Sequence, residues 1–141
     1  MPDKGKTDIL VIDDDLAIRK TLRNFLTKAG YSIITASDGE EGIEKIKQMG
    51  IKIIICDIVL PKLEGIDFLK QAKEYSFMTE VIMITGHSSM ERCVEAIEAG
   101  ACGYLKKPFD LEEILKYIEK AERNINERMD LIKEAMKKKN N

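Results

Sequence analysis

The sequence alternates five times between short apolar runs and longer segments with helical periodicity. The predicted strands are 7–13, 32–36, 51–57, 81–85 and 103–106. The first four are rich in β-branched residues and bounded by turn residues, which is typical of strands covered on both faces of a parallel sheet. Strand-helix repeats connect parallel strands by right-handed crossovers. The pattern therefore predicts an α/β fold, a three-layer sandwich with helices on both faces of the sheet.

The segments between the strands carry their own helix signals. A first helix is predicted over 15–29, ending at Gly30, and a second over 39–49, ending at Gly50, since glycine commonly follows the last helical residue. Polar residues followed three positions later by glutamate predict three further N-caps: Asp38, Ser88 and Asp110.

The C-terminal part has a different pattern. From Leu111 onward, no glycine or proline interrupts the helical pattern, and apolar residues recur at spacings of four and three, at positions 111, 115, 118, 125, 129, 132 and 136. This heptad stripe, broken only at Glu122, predicts a long final helix that pairs with a second copy as a coiled coil. We therefore expect a domain over 1–120 and a helical extension or linker over 121–141, with bare helix from about residue 119 to 138. The alternative is a frayed amphipathic end, because an isolated helix of about 20 residues is only marginally stable in water.

Length and charge exclude several classes of protein. The 141 residues suffice for one compact domain, and 44% of them are apolar, so a core is expected. A net charge of −2 offers no long-range attraction for nucleic acid, so we expect no nucleic-acid binding by this chain alone. No apolar run approaches the roughly 20 residues that cross a bilayer, and the N-terminus lacks the apolar stretch of a signal peptide. We therefore expect a cytoplasmic protein with no membrane partner.

Acidic residues stand where two of the predicted strands end. Asp13 and Asp14 end the first apolar run, and Asp57 ends the third. A carboxylate in an apolar interior is costly unless it is paired or metal-bound, so these residues are expected to bind a ligand at the carboxyl edge of the sheet. Clustered carboxylate oxygens favour a hard divalent cation such as Mg²⁺.

Two more strand ends complete the predicted pocket. Thr85 closes the fourth strand and precedes Gly86, and Lys107 follows the fifth. Lysine supplies a positive charge to a phosphoryl oxygen, and glycine allows a ligand to approach the backbone. A carboxylate nucleophile, a metal, a hydroxyl group and a cation fit phosphoryl transfer to an aspartate. The absence of a Walker-type or G-x-G-x-x-G loop argues against a nucleotide site.

Over about residues 7–120 the chain resembles the receiver domain of a bacterial two-component response regulator. The resemblance rests on an ordered set of motifs: Asp13-Asp14, Asp57-Ile58-Val59-Leu60-Pro61 with Gly65 four residues on, Thr85-Gly86, and Gly103-Tyr104-Leu105-Lys106-Lys107-Pro108-Phe109. It implies a flavodoxin-like (βα)5 fold with strand order 2-1-3-4-5, here with an extended C-terminal helix. It also implies that Asp57 is the phosphoacceptor. Asp13, Asp14, Asp57 and the backbone carbonyl of Val59 would then hold Mg²⁺.

The same resemblance implies roles for the residues at the ends of the fourth and fifth strands. Thr85 would be the switch hydroxyl and Lys107 the partner of the phosphoryl group, with a cis peptide before Pro108. Tyr104 would move inward with Thr85, although it also fits an ordinary edge-strand aromatic. Val59 and His87 occupy positions that affect phosphate loss in this family, and a valine cannot orient an attacking water. We therefore expect a persistent phosphoryl group.

The function implied is signalling rather than enzymatic turnover. The chain would accept a phosphoryl group from a sensor histidine kinase or phosphotransfer protein, with at most self-catalysed transfer and dephosphorylation. The charge added would switch the surface of the fourth helix, fifth strand and fifth helix. A homodimer would form through that surface or through the C-terminal helix. The heptad stripe favours the front part of a longer transcriptional regulator over a stand-alone receiver.

Three alternatives compete with this interpretation. A haloacid-dehalogenase-like Mg²⁺-dependent phosphatase also uses strand-end aspartates, and Asp13-Asp14-Asp15 has its D-x-D spacing, but Leu16-Ala17 do not continue that motif. A flavodoxin-like cofactor binder is opposed by the acidic first loop, which repels an anionic phosphate. A purely structural dimeriser driven by the C-terminal helix would show no phosphorylation.

Overall fold

The computed structural model describes residues 6–86 and 89–139. Five strands and five helices alternate along the chain: β1 (Lys6–Ile12), α1 (Leu16–Lys28), β2 (Ile33–Ala36), α2 (Gly39–Gln48), β3 (Gly50–Asp57), α3 (Gly65–Tyr75), β4 (Glu80–Thr85), α4 (Met90–Glu98), β5 (Gly103–Lys106) and α5 (Leu111–Lys139). The strands form one sheet in the order β2-β1-β3-β4-β5, and each neighbouring pair is parallel. The predicted α/β fold and strand order are confirmed.

Side-chain alternation along the strands divides the core into two layers. Leu10 and Ile12 of β1 pack with Phe68 of α3 on one face of the sheet. Ile9 and Val11 pack with the buried residues of α1 and α5 on the other. Helices therefore cover both faces, which accounts for the nearly continuous apolar sequence of the central strands.

Side-chain caps fix the starts of three helices. The carboxylate of Asp15 accepts a hydrogen bond from the Ala17 amide at the start of α1, and Asp38 caps α2 in the same manner. At α4 the cap is Ser89, which accepts from the Arg92 amide, so the predicted cap at Ser88 is wrong by one position. Ser88 has the glutamate three positions on, at Glu91, whereas Ser89 has Arg92 there, so the serine that caps α4 is the one outside the acidic pattern. Ser88 itself lies outside the described residues.

Helix α5 packs on the domain further along its length than the sequence predicts. Ala121 is fully buried and Ile125 packs against the core layer beneath α1 and α5. Glu122, the gap in the heptad stripe, accepts a hydrogen bond of 2.7 Å from the hydroxyl of Tyr31. The expectation of bare helix from residue 119 is therefore wrong, because a small residue and a polar contact keep the helix against the sheet. Within α5, the helix is continuously exposed from residue 129 to residue 139.

None of the helices in the described part of the chain is both long and apolar enough to cross a membrane.

Candidate functional site

Three carboxylates meet at the carboxyl ends of β1 and β3. These strands are neighbours, with Ile12 paired to Cys56, so the residues that follow emerge side by side. One oxygen from each of Asp13, Asp14 and Asp57 lies within 4.8 Å of the others. Asp13 is fully buried and Asp57 is 5% exposed, whereas Asp14 faces solvent. The three acids predicted from sequence therefore form one cluster with an open side.

Lys107 connects the two buried carboxylates. Its Nζ atom lies 2.8 Å from Asp13 Oδ2 and 2.8 Å from Asp57 Oδ2. Its backbone amide donates to the carbonyl of Thr85 at 2.7 Å, and its peptide bond to Pro108 is cis, as the family resemblance implies. Lys106, the lysine that directly precedes it in the sequence, is exposed. The structure therefore brings Lys107 into the cluster.

Backbone hydrogen bonds orient both buried carboxylates. Asp13 Oδ1 accepts from the Asp15 amide at 2.9 Å, and Asp57 Oδ1 accepts from the Val59 amide at 3.0 Å. Each carboxylate thus uses one oxygen for its own loop and the other for the lysine ammonium. Charge-assisted bonds of this kind are stronger than neutral ones, so the two side chains are held in place before any ligand binds.

A glycine closes the loop that follows Asp57. The amide of Gly65 donates to the carbonyl of Ile58 at 2.9 Å. A Cβ atom at this position would lie 2.5 Å from the Asp57 carbonyl oxygen and 2.6 Å from the Cα of Ile58. Real Cβ atoms essentially never approach backbone so closely, so only glycine lets α3 begin here without displacing the residues around Asp57.

Burial and ion pairing act in opposite directions on the site's pKa values. Burial raises the pKa of Asp13, and this outweighs the lowering effect of Lys107 and of the Asp15 amide. For Lys107, burial lowers the pKa, but the hydrogen bonds to Asp13 and Asp57 outweigh it, so the pKa is raised. With all four groups ionised, three carboxylates and one ammonium leave two negative charges uncompensated. Such a cluster of oxygen donors fits a divalent cation in charge and in donor type.

The two residues predicted as switches lie on β4 and β5. Thr85 is fully buried at the end of β4, beside the strand end that carries Asp57. Tyr104 is partly buried against the core layer beneath α2, α3 and α4. Its hydroxyl is buried and has no hydrogen-bond partner among the described residues. Burial raises the pKa of that hydroxyl. His87 lies outside the described residues.

Sequence reasoning missed Arg19 as a neighbour of the site. Its guanidinium donates to the backbone carbonyl of Asp13 at 2.7 Å. An arginine in the first turns of a helix is repelled by the positive end of the helix dipole, unless acidic groups nearby compensate for this repulsion. An arginine one turn after three consecutive aspartates is the sequence pattern that could have predicted a contact between Arg19 and this loop.

A family model for the response regulator receiver domain matches residues 9–119. The chain belongs to this family.

Individual receivers and regulators show the same relationship. The chain is 34% identical over 118 residues to the transcriptional regulatory protein ZraR of Salmonella typhimurium. The aligned region covers 84% of this chain and 27% of ZraR. It resembles a CheY-like receiver domain protein of Methanospirillum hungatei with a TM-score of 0.82 and 33% identity, over 86% of this chain and 98% of that one. The beryllofluoride-activated NtrC4 receiver domain dimer gives a TM-score of 0.80 and 36% identity, over 84% of this chain and 98% of that one.

The receiver assignment places the chain in a family of signalling domains and gives no support to the haloacid-dehalogenase-like phosphatase. The curated relatives are longer, and the chain spans about a quarter of ZraR and less than half of the response regulator MprA of Mycobacterium leprae.

Proposed function

We propose that this receiver takes a phosphoryl group onto Asp57 from a sensor histidine kinase or phosphotransfer protein, in a Mg²⁺-dependent reaction. The observation that carries the proposal is the Lys107 ammonium, 2.8 Å from the buried carboxylates of both Asp13 and Asp57. An aspartate oriented by one backbone amide and one ammonium is positioned as a nucleophile. The adjoining carboxylates provide the site for the cation that phosphoryl transfer needs.

Each residue of the cluster has a distinct task in this proposal. Asp13, Asp14, Asp57 and the backbone carbonyl of Val59 would hold Mg²⁺, which when bound neutralises charge on the phosphoryl oxygens. The Asp57 oxygen forms the new bond to phosphorus as the phosphorus–nitrogen bond of the donor histidine breaks. The donor imidazole takes up a proton from solvent. Lys107 turns from Asp57 toward a phosphoryl oxygen, since its ammonium group is a mobile point charge.

The test is phosphorylation of Asp57→Asn by a cognate kinase or a small phosphodonor. We expect no label on this variant, while Asp67→Asn, an exposed acid on α3, labels like the parent protein. Undiminished label on Asp57→Asn would refute the proposal.

A groove beside the acidic cluster offers a binding surface for a helical partner. It has a volume of about 570 Å³ and is lined by Ile18 and Thr21 of α1, by Lys107 and Phe109 of the loop after β5, and by Leu111 at the start of α5. Leu16, at the start of α1, is 53% exposed. Because the groove reaches Lys107, a partner seated there would bring its histidine to Asp57. We propose this groove as the docking surface for the phosphoryl donor.

The response to phosphorylation is proposed to involve Thr85, Tyr104 and α4. The outer face of α4 exposes Met90, Val94 and Ile97, at the spacing of one helical face. The added charge and oxygens would draw Thr85 and Lys107 toward the phosphoryl group and bias this surface between two states.

A homodimer through the α4-β5-α5 surface or through α5 belongs to the same proposal, as does cytoplasmic action at the front of a transcriptional regulator. ZraR bears the name of a transcriptional regulatory protein, and the activated NtrC4 receiver is described as a dimer. Molar mass in solution with and without beryllofluoride tests the dimer. A monomer under both conditions would contradict it.

A further inference from the structure

Glu80 is a buried carboxylate far from the acidic cluster. It is the first residue of β4 and is 2% exposed. Alternation along the strand places it on the same face as Ile82 and Ile84, which pack with α1 and α5. A carboxylate at an apolar position of this kind is costly unless a cation pairs with it.

Arg128 of α5 supplies that cation. Its Nη2 atom contacts Glu80 Oε1, and its Nη1 atom donates to the carbonyl oxygens of Phe77 at 3.3 Å and Met78 at 3.5 Å. The Arg128 side chain is 35% exposed, so the pair is covered mainly on the glutamate side. One guanidinium thus joins α5 both to β4 and to the loop before it.

The pair lies at the end of a docked stretch of α5. That stretch begins with buried Ala121, continues through Glu122 with its bond to Tyr31, and includes Ile125 against the core. Past Arg128, every residue to 139 is exposed. Among the described residues of α5, Arg128 is therefore the last that makes a polar bond to the domain.

This arrangement divides the heptad stripe of α5 into two parts. Ile125 faces its own domain and is not available to another helix. Met129, Ile132 and Met136 are 44%, 38% and 60% exposed. Three residues spread over 129–136 fall well short of the three to four heptads that sustain a coiled coil.

We infer that the Glu80–Arg128 pair is a latch that holds α5 on its own domain to residue 128, and that this latch limits the helix surface open to a second copy to residues 129–139. The inference rests on the proposed pairing through the C-terminal helix. It is a contact within the chain that opposes self-association, because docking Ile125 and pairing it with another helix exclude each other.

Amide hydrogen exchange over residues 121–128 tests the latch directly. In Arg128→Gln the buried carboxylate of Glu80 loses the cation that contacts it directly and keeps its electrostatic interaction with Lys73. We therefore expect these amides to exchange at least about tenfold faster than in the parent protein. Arg123→Gln, an exposed arginine on the same helix, is the matched control and should leave the exchange unchanged. Unchanged exchange in Arg128→Gln would overturn the inference.

A double variant separates the ion pair from the other contacts of Arg128. With Glu80→Gln added, the uncompensated carboxylate is removed as well, so protection over 121–128 should return most of the way to the parent level. If the double variant exchanges as fast as Arg128→Gln alone, the carbonyl contacts hold the helix and the assignment of the latch to the pair is wrong.

Sedimentation equilibrium tests the limit on pairing. Ile125 can pair with a second copy only in molecules whose α5 has left its own domain. Because Arg128→Gln increases the fraction of such molecules, it should dimerise about tenfold more tightly than the parent and Arg123→Gln. Adding Ile132→Glu should abolish the gain. An unchanged dissociation constant would overturn the limit. These measurements use no Mg²⁺ and no phosphodonor, so they are independent of whether Asp57 is phosphorylated, and Asp57→Asn should associate like the parent.

Discussion

Replacing Lys107 by glutamine should weaken the fold and strengthen metal binding at the same time. The change leaves the Asp13 carboxylate, which is fully buried, without its ammonium partner 2.8 Å away. Breaking a buried pair by removing one partner typically costs 3–5 kcal/mol. The Lys107 side chain is 20% exposed and glutamine retains one donor, so we expect about 3 kcal/mol of lost stability at pH 7 without Mg²⁺.

The metal effect has the opposite sign. The cluster changes from two uncompensated negative charges to three when the ammonium is removed. Mg²⁺ should therefore bind at least about tenfold more tightly, since one further charge within a few ångströms contributes more than 1.4 kcal/mol at an effective dielectric near 20. Saturating Mg²⁺ should recover much of the lost stability, because a ligand that binds only the folded state stabilises it.

Acid should reduce the loss as well. Burial raises the pKa of Asp13, while Lys107 lowers it. Without Lys107 the folded-state pKa of Asp13 rises further above its unfolded value. The folded protein then binds more protons than the unfolded chain between those two pKa values, and its stability relative to the parent increases as pH falls through that window.

Urea unfolding at pH 7 and pH 5, with and without Mg²⁺, measures all three effects. Lys106→Gln is the control, because it removes the same charge from an exposed neighbour. If Lys107→Gln unfolds at the same urea concentration as Lys106→Gln in the absence of Mg²⁺, the lysine is not compensating buried charge and the reasoning fails.

Three further predictions concern the same site. Gly65→Ala should cost about 1–3 kcal/mol in urea unfolding, because the new Cβ meets the Asp57 carbonyl oxygen at 2.5 Å. Gly86→Ala should be nearly neutral, because the nearest atom to its Cβ among the described residues is a side-chain carbon of Lys107 at 3.9 Å. Equal losses in the two variants would contradict the steric account. Binding of Mg²⁺ should release protons, and its affinity should fall as pH falls through the raised pKa of Asp13. Calorimetric heats of Mg²⁺ binding that do not depend on the ionisation enthalpy of the buffer would contradict the proton release. Phosphoryl-Asp57 should persist in the parent and decay several-fold faster in Val59→Asn, which supplies a side chain able to orient water. Equal rates of radiolabel loss would show that Val59 does not control the lifetime of the phosphoryl group.

Most of the site was predictable because its signals are local. An apolar β-branched run marks a buried strand, and the residue that ends the run falls at the edge of the sheet wherever that strand lies. Asp13, Asp57 and Thr85 were found in this way, whereas Lys107 follows the fifth strand, which has no β-branched residue. Their convergence was predictable too, since all strands are parallel and their carboxyl ends share one edge.

Helix termini were less predictable. The glutamate at 91 pointed to Ser88 as the N-cap, but both serines are polar residues suited to capping, and the hydrogen bond from the Arg92 amide identifies Ser89. Arg19 carried only a weak electrostatic signal, because its contact to Asp13 depends on how α1 leaves the first strand.

The amino-acid sequence alone determined the five strand-helix units, the edge of the sheet at which the acidic cluster lies, and the set of groups gathered there. Only the tertiary structure decided how far α5 packs on its own domain. Core packing and coiled-coil pairing produce the same apolar spacing over a few turns, so the heptad stripe did not distinguish them. Buried Ala121 and the bond from Tyr31 to Glu122 place α5 on its own domain, and in our proposal the pair of Glu80 and Arg128, 48 residues apart in sequence, holds it there.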